Sequence, residues 1–147
     1  MGEPTRIFTL EEANELVPTL ELEFGRVARL RDELKGLVEA LGGADASVDI
    51  LQNGAAPPPG QEVEAARLRA VADEIGAAVQ RVSELGCLVK DLDLGLVDFY
   101  AMMENRPVLL CWQFGERQIA HWHDVDEGFS GRKPIEGVEV APPEFLN

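Results

Sequence analysis

The chain holds 147 residues, 46% of them apolar and 27% charged, the composition of an ordinary globular domain and not of a fibrous or disordered polymer. Its 27 acidic against 13 basic residues leave a formal charge of −14, which argues against nucleic acid and anionic membrane surfaces as partners. No apolar run approaches the roughly 18 residues of a membrane span, no secretory signal follows Met1, and Cys87 and Cys111 lack C-x-x-C spacing, so a cytoplasmic protein with reduced thiols is expected.

In chain order, Thr9-Leu10-Glu11-Glu12 reads as a capping box that starts a helix. Ala13, Val17, Leu20, Phe24, Val27, Leu30, Leu34, Val38 and Leu41 continue it as one apolar stripe. Pro18 predicts a kink or a restart within it, and Gly42-Gly43 ends it, so helix one occupies 6–42. Residues 43–60 contain three consecutive prolines and are expected to form a flexible loop. Val63, Leu68, Val71, Ile75, Ala78, Val82 and Leu85 then mark helix two over 61–86. Two stripes of matched length predict an antiparallel hairpin, coiled-coil-like, with part of its seam open to a second copy.

From Cys87 the period changes to short runs rich in Val, Phe, Tyr and Trp, which predicts an antiparallel sheet over 87–123, with strands near 87–90, 96–101, 107–113 and 117–123. A loop-rich tail covers 124–147, punctuated by Gly128, Gly131, Pro134, Gly137, Pro142 and Pro143. The expected fold is α+β, a single domain over 1–147 in which a long antiparallel helical hairpin packs on a small three- or four-stranded antiparallel sheet.

Alternation along strands sorts the polar residues by face. A turn on Gly115-Glu116 sets Leu110 opposite His121, and a loop over 102–106 sets Asp98 opposite Leu110. One face then carries Val97, Phe99, Ala101, Leu109, Cys111, Ala120 and Trp122, and is assigned to the helices. The other carries Leu96, Asp98, Tyr100, Val108, Leu110, Trp112, Ile119, His121 and His123. A slip of one residue would undo this sorting.

The mixed face holds the candidate chemistry. His121 and His123 project side by side as a candidate pair of metal ligands, with Asp98, Asp126 or Glu127 as third, although Asp98 stands two strands, about 9–10 Å, from His121. Asp98 within a strand demands a partner, and Arg132 in the returning tail is the first candidate. Cys111 reads as a small buried apolar residue, because no cation adjoins it in sequence to activate the thiol. Trp112 on this face is a candidate aromatic platform. No phosphate loop, nucleophile elbow, H-E-x-x-H or dinucleotide fingerprint occurs.

Phe8-Thr9-Leu10-Glu11-Glu12-Ala13-Asn14 with Pro18, then Lys90-Asp91, Gly95-Leu96-Val97-Asp98-Phe99, Cys111-Trp112, Trp122-His123 and Gly128 through Ile135 form a distinctive series. In these the chain resembles DUF2203, an uncharacterised bacterial family catalogued as a domain of unknown function, over most of residues 6–135. The resemblance implies a helical hairpin with a small sheet and no assigned activity. His123 falls on the family's Trp-His pair, whereas His121 departs from it, which weakens a site built on both histidines. The polar residues matching the family are Asp98, Glu116, His123, Glu127 and Arg132.

The leading expectation is a non-enzymatic protein that self-associates as a homodimer, or binds a protein partner, through its helices, with no cofactor. The alternative is a small-molecule or divalent-metal-dependent activity between the sheet and the tail. There Asp98, Trp112, Glu116, His123, Glu127 and Arg132 are ligand-binding candidates, and His123, His121 and Glu127 the metal candidates. The plainer alternative is a hydrogen-bond network that pins the tail.

Overall fold

The computed structural model describes residues 6–135 and 140–141. The expectations about the start of the chain before Arg6, and about Gly137, Pro142 and Pro143, lie outside that set. The chain forms two compact units, one from the residues up to Phe24 together with those from Arg81 onward, the other from Gly25–Gln80.

Helix α1 (Leu10–Glu15) opens on the expected capping box. The Glu12 amide donates to Thr9 Oγ1 at 3.0 Å, and the Thr9 amide donates to Glu12 Oε1 at 2.8 Å. Pro18 has no amide hydrogen to continue that ladder, so the chain caps at Leu16 and restarts as α2 (Val17–Ala40). Pro18 then falls in the first turn of α2, where no intrahelical donor is required. Helix α4 (Glu62–Glu84) fills the second predicted stripe.

Residues 43–60 depart from the expected loop, because Ala44–Asn53 is a helix, α3. Gly54 ends it in the left-handed region at φ 66°, the conformation glycine adopts without penalty. Its apolar residue Ile50 joins Leu41, Ala65 and Leu68 in the core of the Gly25–Gln80 unit, and this burial, not a side-chain cap, holds the helix. In the same unit Arg67 forks onto Glu33 at 2.5 and 2.7 Å, and Gln61 donates to the Ala40 carbonyl at 2.7 Å. The α2 and α4 segments there run antiparallel.

The other unit carries the sheet, which has more strands than the three or four expected. Strands β1 (Leu88–Asp91), β2 (Leu96–Met103), β3 (Arg106–Gln113), β4 (His121–Asp124) and β5 (Lys133–Pro134) are neighbours in chain order. The two-residue β6 (Val140–Ala141) pairs with Met102 and Met103, on the edge of β2 that β1 uses further along. Every pairing is antiparallel. Val97, Phe99, Ala101, Val108, Leu110, Trp112 and Trp122 form one core with Phe8, Val17, Leu20, Phe24 and Val82.

The register corrects the expected faces by one residue at both hairpins. Asp98 lies opposite Cys111 rather than Leu110, and Leu110 opposite Trp122 rather than His121. The two slips cancel for β4, so Asp98, His121 and His123 do share a face while β3 alone is inverted. Trp112, fully buried, belongs to the helix-side core, and Cys111, expected on the helix face, stands opposite Asp98 where Leu110 was expected. The cause lies in the turns. Met103 pairs with Arg106, which leaves Glu104 and Asn105 as a two-residue hairpin turn with φ of 53° and 62° in place of a five-residue loop. The next connection, expected as a turn on Gly115-Glu116, runs from Phe114 to Ala120.

Candidate functional site

The face opposite the helices carries Asp98 on β2, Cys111 on β3 and His123 on β4, all buried. Regular pairing places Asp98 beside Cys111 and His123 beside Leu109, so the aspartate and histidine meet diagonally across β3. His123 Nε2 lies 3.1 Å from Asp98 Oδ2. A reach of two strands is closed because both side chains lean inward over the small Cys111; the leucine expected at that position would fill the space.

Hydrogen-bond accounting constrains the protons. His123 Nδ1 lies 2.9 Å from the Asp124 carbonyl oxygen, an acceptor only, so Nδ1 carries hydrogen and donates. The remaining ring nitrogen and the Asp98 carboxyl therefore hold one proton between them. Burial pushes the Asp98 carboxyl above its ordinary value, while the charges of His123 and Lys90 pull it back. Burial, reinforced by the neighbouring Asp98 charge, pushes the Cys111 thiol up to about 12. The thiol sulfur lies within 4.8 Å of both the Asp98 carboxylate oxygen and the His123 nitrogen. A thiol raised in this way differs from the nucleophile of a cysteine triad, whose pKa is depressed by the histidine it faces.

A cavity of about 90 Å³ lies over the trio. Its lining adds Lys90 and Leu96 from the sheet and Glu127, Gly128 and Phe129 from the tail, where Phe129–Gly131 forms a 3-10 turn. Glu127 is held at this wall by the Lys133 ammonium at 2.9 Å and by the Asp124 amide, which donates to it at 3.1 Å. The Lys133 contact keeps the Glu127 carboxyl below its usual range. No side chain bulkier than hydrogen fits at Gly131 without a shift, since a Cβ there would lie 2.9 Å from Glu127 Cδ.

Of the residues expected at a site, the cavity brings together Asp98, His123 and Glu127. Arg132 is not the partner of Asp98: its Nη2 forks onto both Glu116 carboxylate oxygens at 2.9 Å and reaches the Cys111 carbonyl at 3.5 Å. Glu116 also accepts from the Gln113 amide at 2.7 Å, so it and Arg132 tie the β3–β4 connection to the tail. Trp112 serves the same connection, its indole donating to the Glu116 carbonyl at 2.9 Å. His121 shares the face but turns toward Glu116, 3.7 Å from its carboxylate, and does not line the cavity. The pair His121–His123 therefore does not converge, and the third group of the cluster is Cys111. The signal for Cys111 was available only as parity with Asp98 across a correctly registered pair. Lys90, at a bulge in β1, had no such signal.

Among the described residues no helix is long and apolar enough to cross a membrane. No curated protein and no solved structure matches the chain. The family model of an uncharacterized conserved protein, DUF2203, matches residues 6–135, which contain every cavity-lining residue, the whole of the Gly25–Gln80 unit and most of the other, and the chain belongs to that family.

Proposed function

We propose that the protein acts through the cleft between the sheet and the tail turn, as a site for a divalent metal ion or a molecule of a few heavy atoms and the activity that depends on it. The supporting observation is the convergence of three buried ionisable side chains on a cavity. Arg132, the cation expected to neutralise Asp98, is engaged by Glu116 instead, so the buried carboxyl has the imidazole and the cavity beside it. The volume discriminates between ligands. A nucleotide-sized or drug-sized ligand takes about 300–1,000 Å³, and about 90 Å³ suits an ion with its waters or a small anion.

Thermal-shift measurements with divalent ions, bicarbonate and inorganic phosphate test this on wild type, Asp98→Asn and His123→Gln. An additive is expected to stabilise wild type and not the variants. If no additive distinguishes them, the trio only pins the tail and the reading fails.

Self-association or a protein partner through a coiled-coil-like hairpin remains the second reading. Its support is that Leu22 on α2 and Val63 on α4 are 60% and 78% exposed. Much of both stripes is buried inside the chain's own units, which leaves this reading less to act with. Light scattering coupled to size exclusion measures the mass directly, and a concentration-independent monomer would end it. Both cysteines are free and buried, which suits the cytoplasmic location proposed from composition.

A further inference from the structure

We propose that Asp98, Cys111 and His123 are the protein ligands of one divalent transition-metal ion of the zinc type, with a fourth position opening into the cavity. The inference rests on the cleft reading and names its occupant.

Geometry comes first. One carboxylate oxygen, one sulfur and one imidazole nitrogen, from three successive strands, lie within 4.8 Å of one another. Bonds of about 2.0–2.3 Å in a tetrahedron separate ligand atoms by roughly 3.3–3.8 Å. The His123 and Asp98 donor atoms, 3.1 Å apart, already stand near that separation, and side-chain rotations of about an ångström bring all three atoms to it from within 4.8 Å. The ligands stand on the inner strands β2, β3 and β4, which gives them a rigid base.

His123 is already oriented as a ligand. Its Nδ1 is fixed by the Asp124 carbonyl, which leaves Nε2 directed at the other two donors. Metal-binding histidines characteristically give their second ring N–H to such a carbonyl or carboxylate, which fixes the tautomer and the ring plane. Here the outer hydrogen bond is in place, and the nitrogen it frees faces the cluster.

The donor set selects the metal. Magnesium and calcium take oxygen ligands almost exclusively, whereas a thiolate with an imidazole and one carboxylate suits zinc or cobalt. Three protein ligands with an adjoining cavity match sites that keep a position open for water or substrate, not closed structural sites. Glu127 stays outside the ligand set because Lys133 and the Asp124 amide engage it. Lys90 is the cationic residue of the cavity lining, and its charge favours an anionic occupant at the fourth position.

The test is titration of the chelator-stripped chain with cobalt(II). One ion per chain is expected, with a thiolate-to-cobalt charge-transfer band in the near ultraviolet that zinc abolishes by competition. Cys111→Ser should lose the band and weaken binding by at least the about 10–100-fold that loss of an outer partner alone costs. Cys87→Ser, at the other thiol, should keep the band, and His123→Gln should weaken binding as Cys111→Ser does. Wild type without a band overturns the assignment whatever the variants do, as does a band that survives Cys111→Ser. If cobalt fails while phosphate or bicarbonate still stabilises wild type over His123→Gln, the metal assignment falls and the cleft reading stands. If neither acts, both fall.

Discussion

Asp98→Ala, measured with chelator present, is expected to be among the costliest single substitutions in the chain. The carboxyl is 3% exposed and its imidazole partner 2%. Truncation leaves His123 Nε2 and the Cys111 thiol facing a void with no acceptor. Removing one member of a buried hydrogen-bonded pair costs about 3–5 kcal/mol. For a chain of this size that lowers the melting temperature by roughly 10 °C. Asp98→Asn keeps the volume and offers an N–H to His123 Nε2, so its cost at neutral pH should be nearer about 1 kcal/mol. The pH dependence separates these further. Burial raises the folded-state pKa of Asp98 above its ordinary 3.8, so its stabilising contribution is complete below that value. It is lost as the pH rises through the folded-state pKa. Asp98→Asn lacks this loss, and the gap between it and wild type should narrow as the pH rises. Urea unfolding followed by circular dichroism and by Trp112 and Trp122 fluorescence reads both effects. Asp98→Ala within about 0.5 kcal/mol of wild type, or Asp98→Asn as costly as Asp98→Ala, would refute the buried-pair account.

Gly95→Ala places a methyl 2.5 Å from Phe114 Cβ at a backbone φ of +67°. The left-handed conformation alone costs about 1–2 kcal/mol, and calorimetry should show more than that. Ile50→Ala empties a core position that is 3% exposed and is expected to cost about 2–5 kcal/mol, with amide exchange accelerating first in α3. Lys133→Met should bring the Glu127 carboxyl back up toward 4.5 in a carbon NMR titration, since the Lys133 contact is the largest cause of its depression. In wild type this pairing contributes stability above the unfolded pKa and loses it as the pH falls through the lower folded value. A Glu127 titration unchanged by the substitution would show that the contact is absent in solution.

Local chemistry in the sequence was sufficient for α1, α2 and α4. The Thr9–Glu12 capping box, the restart forced by Pro18 and the stripes of α2 and α4 depend on residues a few positions apart, and each appears in the structure. Asp98 was legible as buried and in need of a partner, because a carboxylate is costly inside a strand. Helix α3 was obscured because its stability comes from Ile50 meeting Leu41 and Leu68, contacts across the chain that no local propensity records. The partner of Asp98 was hidden for a related reason. Side chains alternate with period two, so the two-residue turn at Glu104-Asn105 inverts β3 relative to a five-residue loop. Both readings satisfy the same hydrophobic alternation, since Leu109 and Leu110 serve either face. Only packing decided between them: the Trp112 indole goes to the core with Phe24 and gives its hydrogen to the Glu116 carbonyl, and Cys111 is left beneath Asp98 and His123. The sequence alone singled out Asp98 and His123 as polar residues of one sheet face, while Cys111 was read onto the other face and Lys90 was not read as part of the site. Tertiary structure decided which of them touch, because that depends on the turn geometry and core volume that set the register.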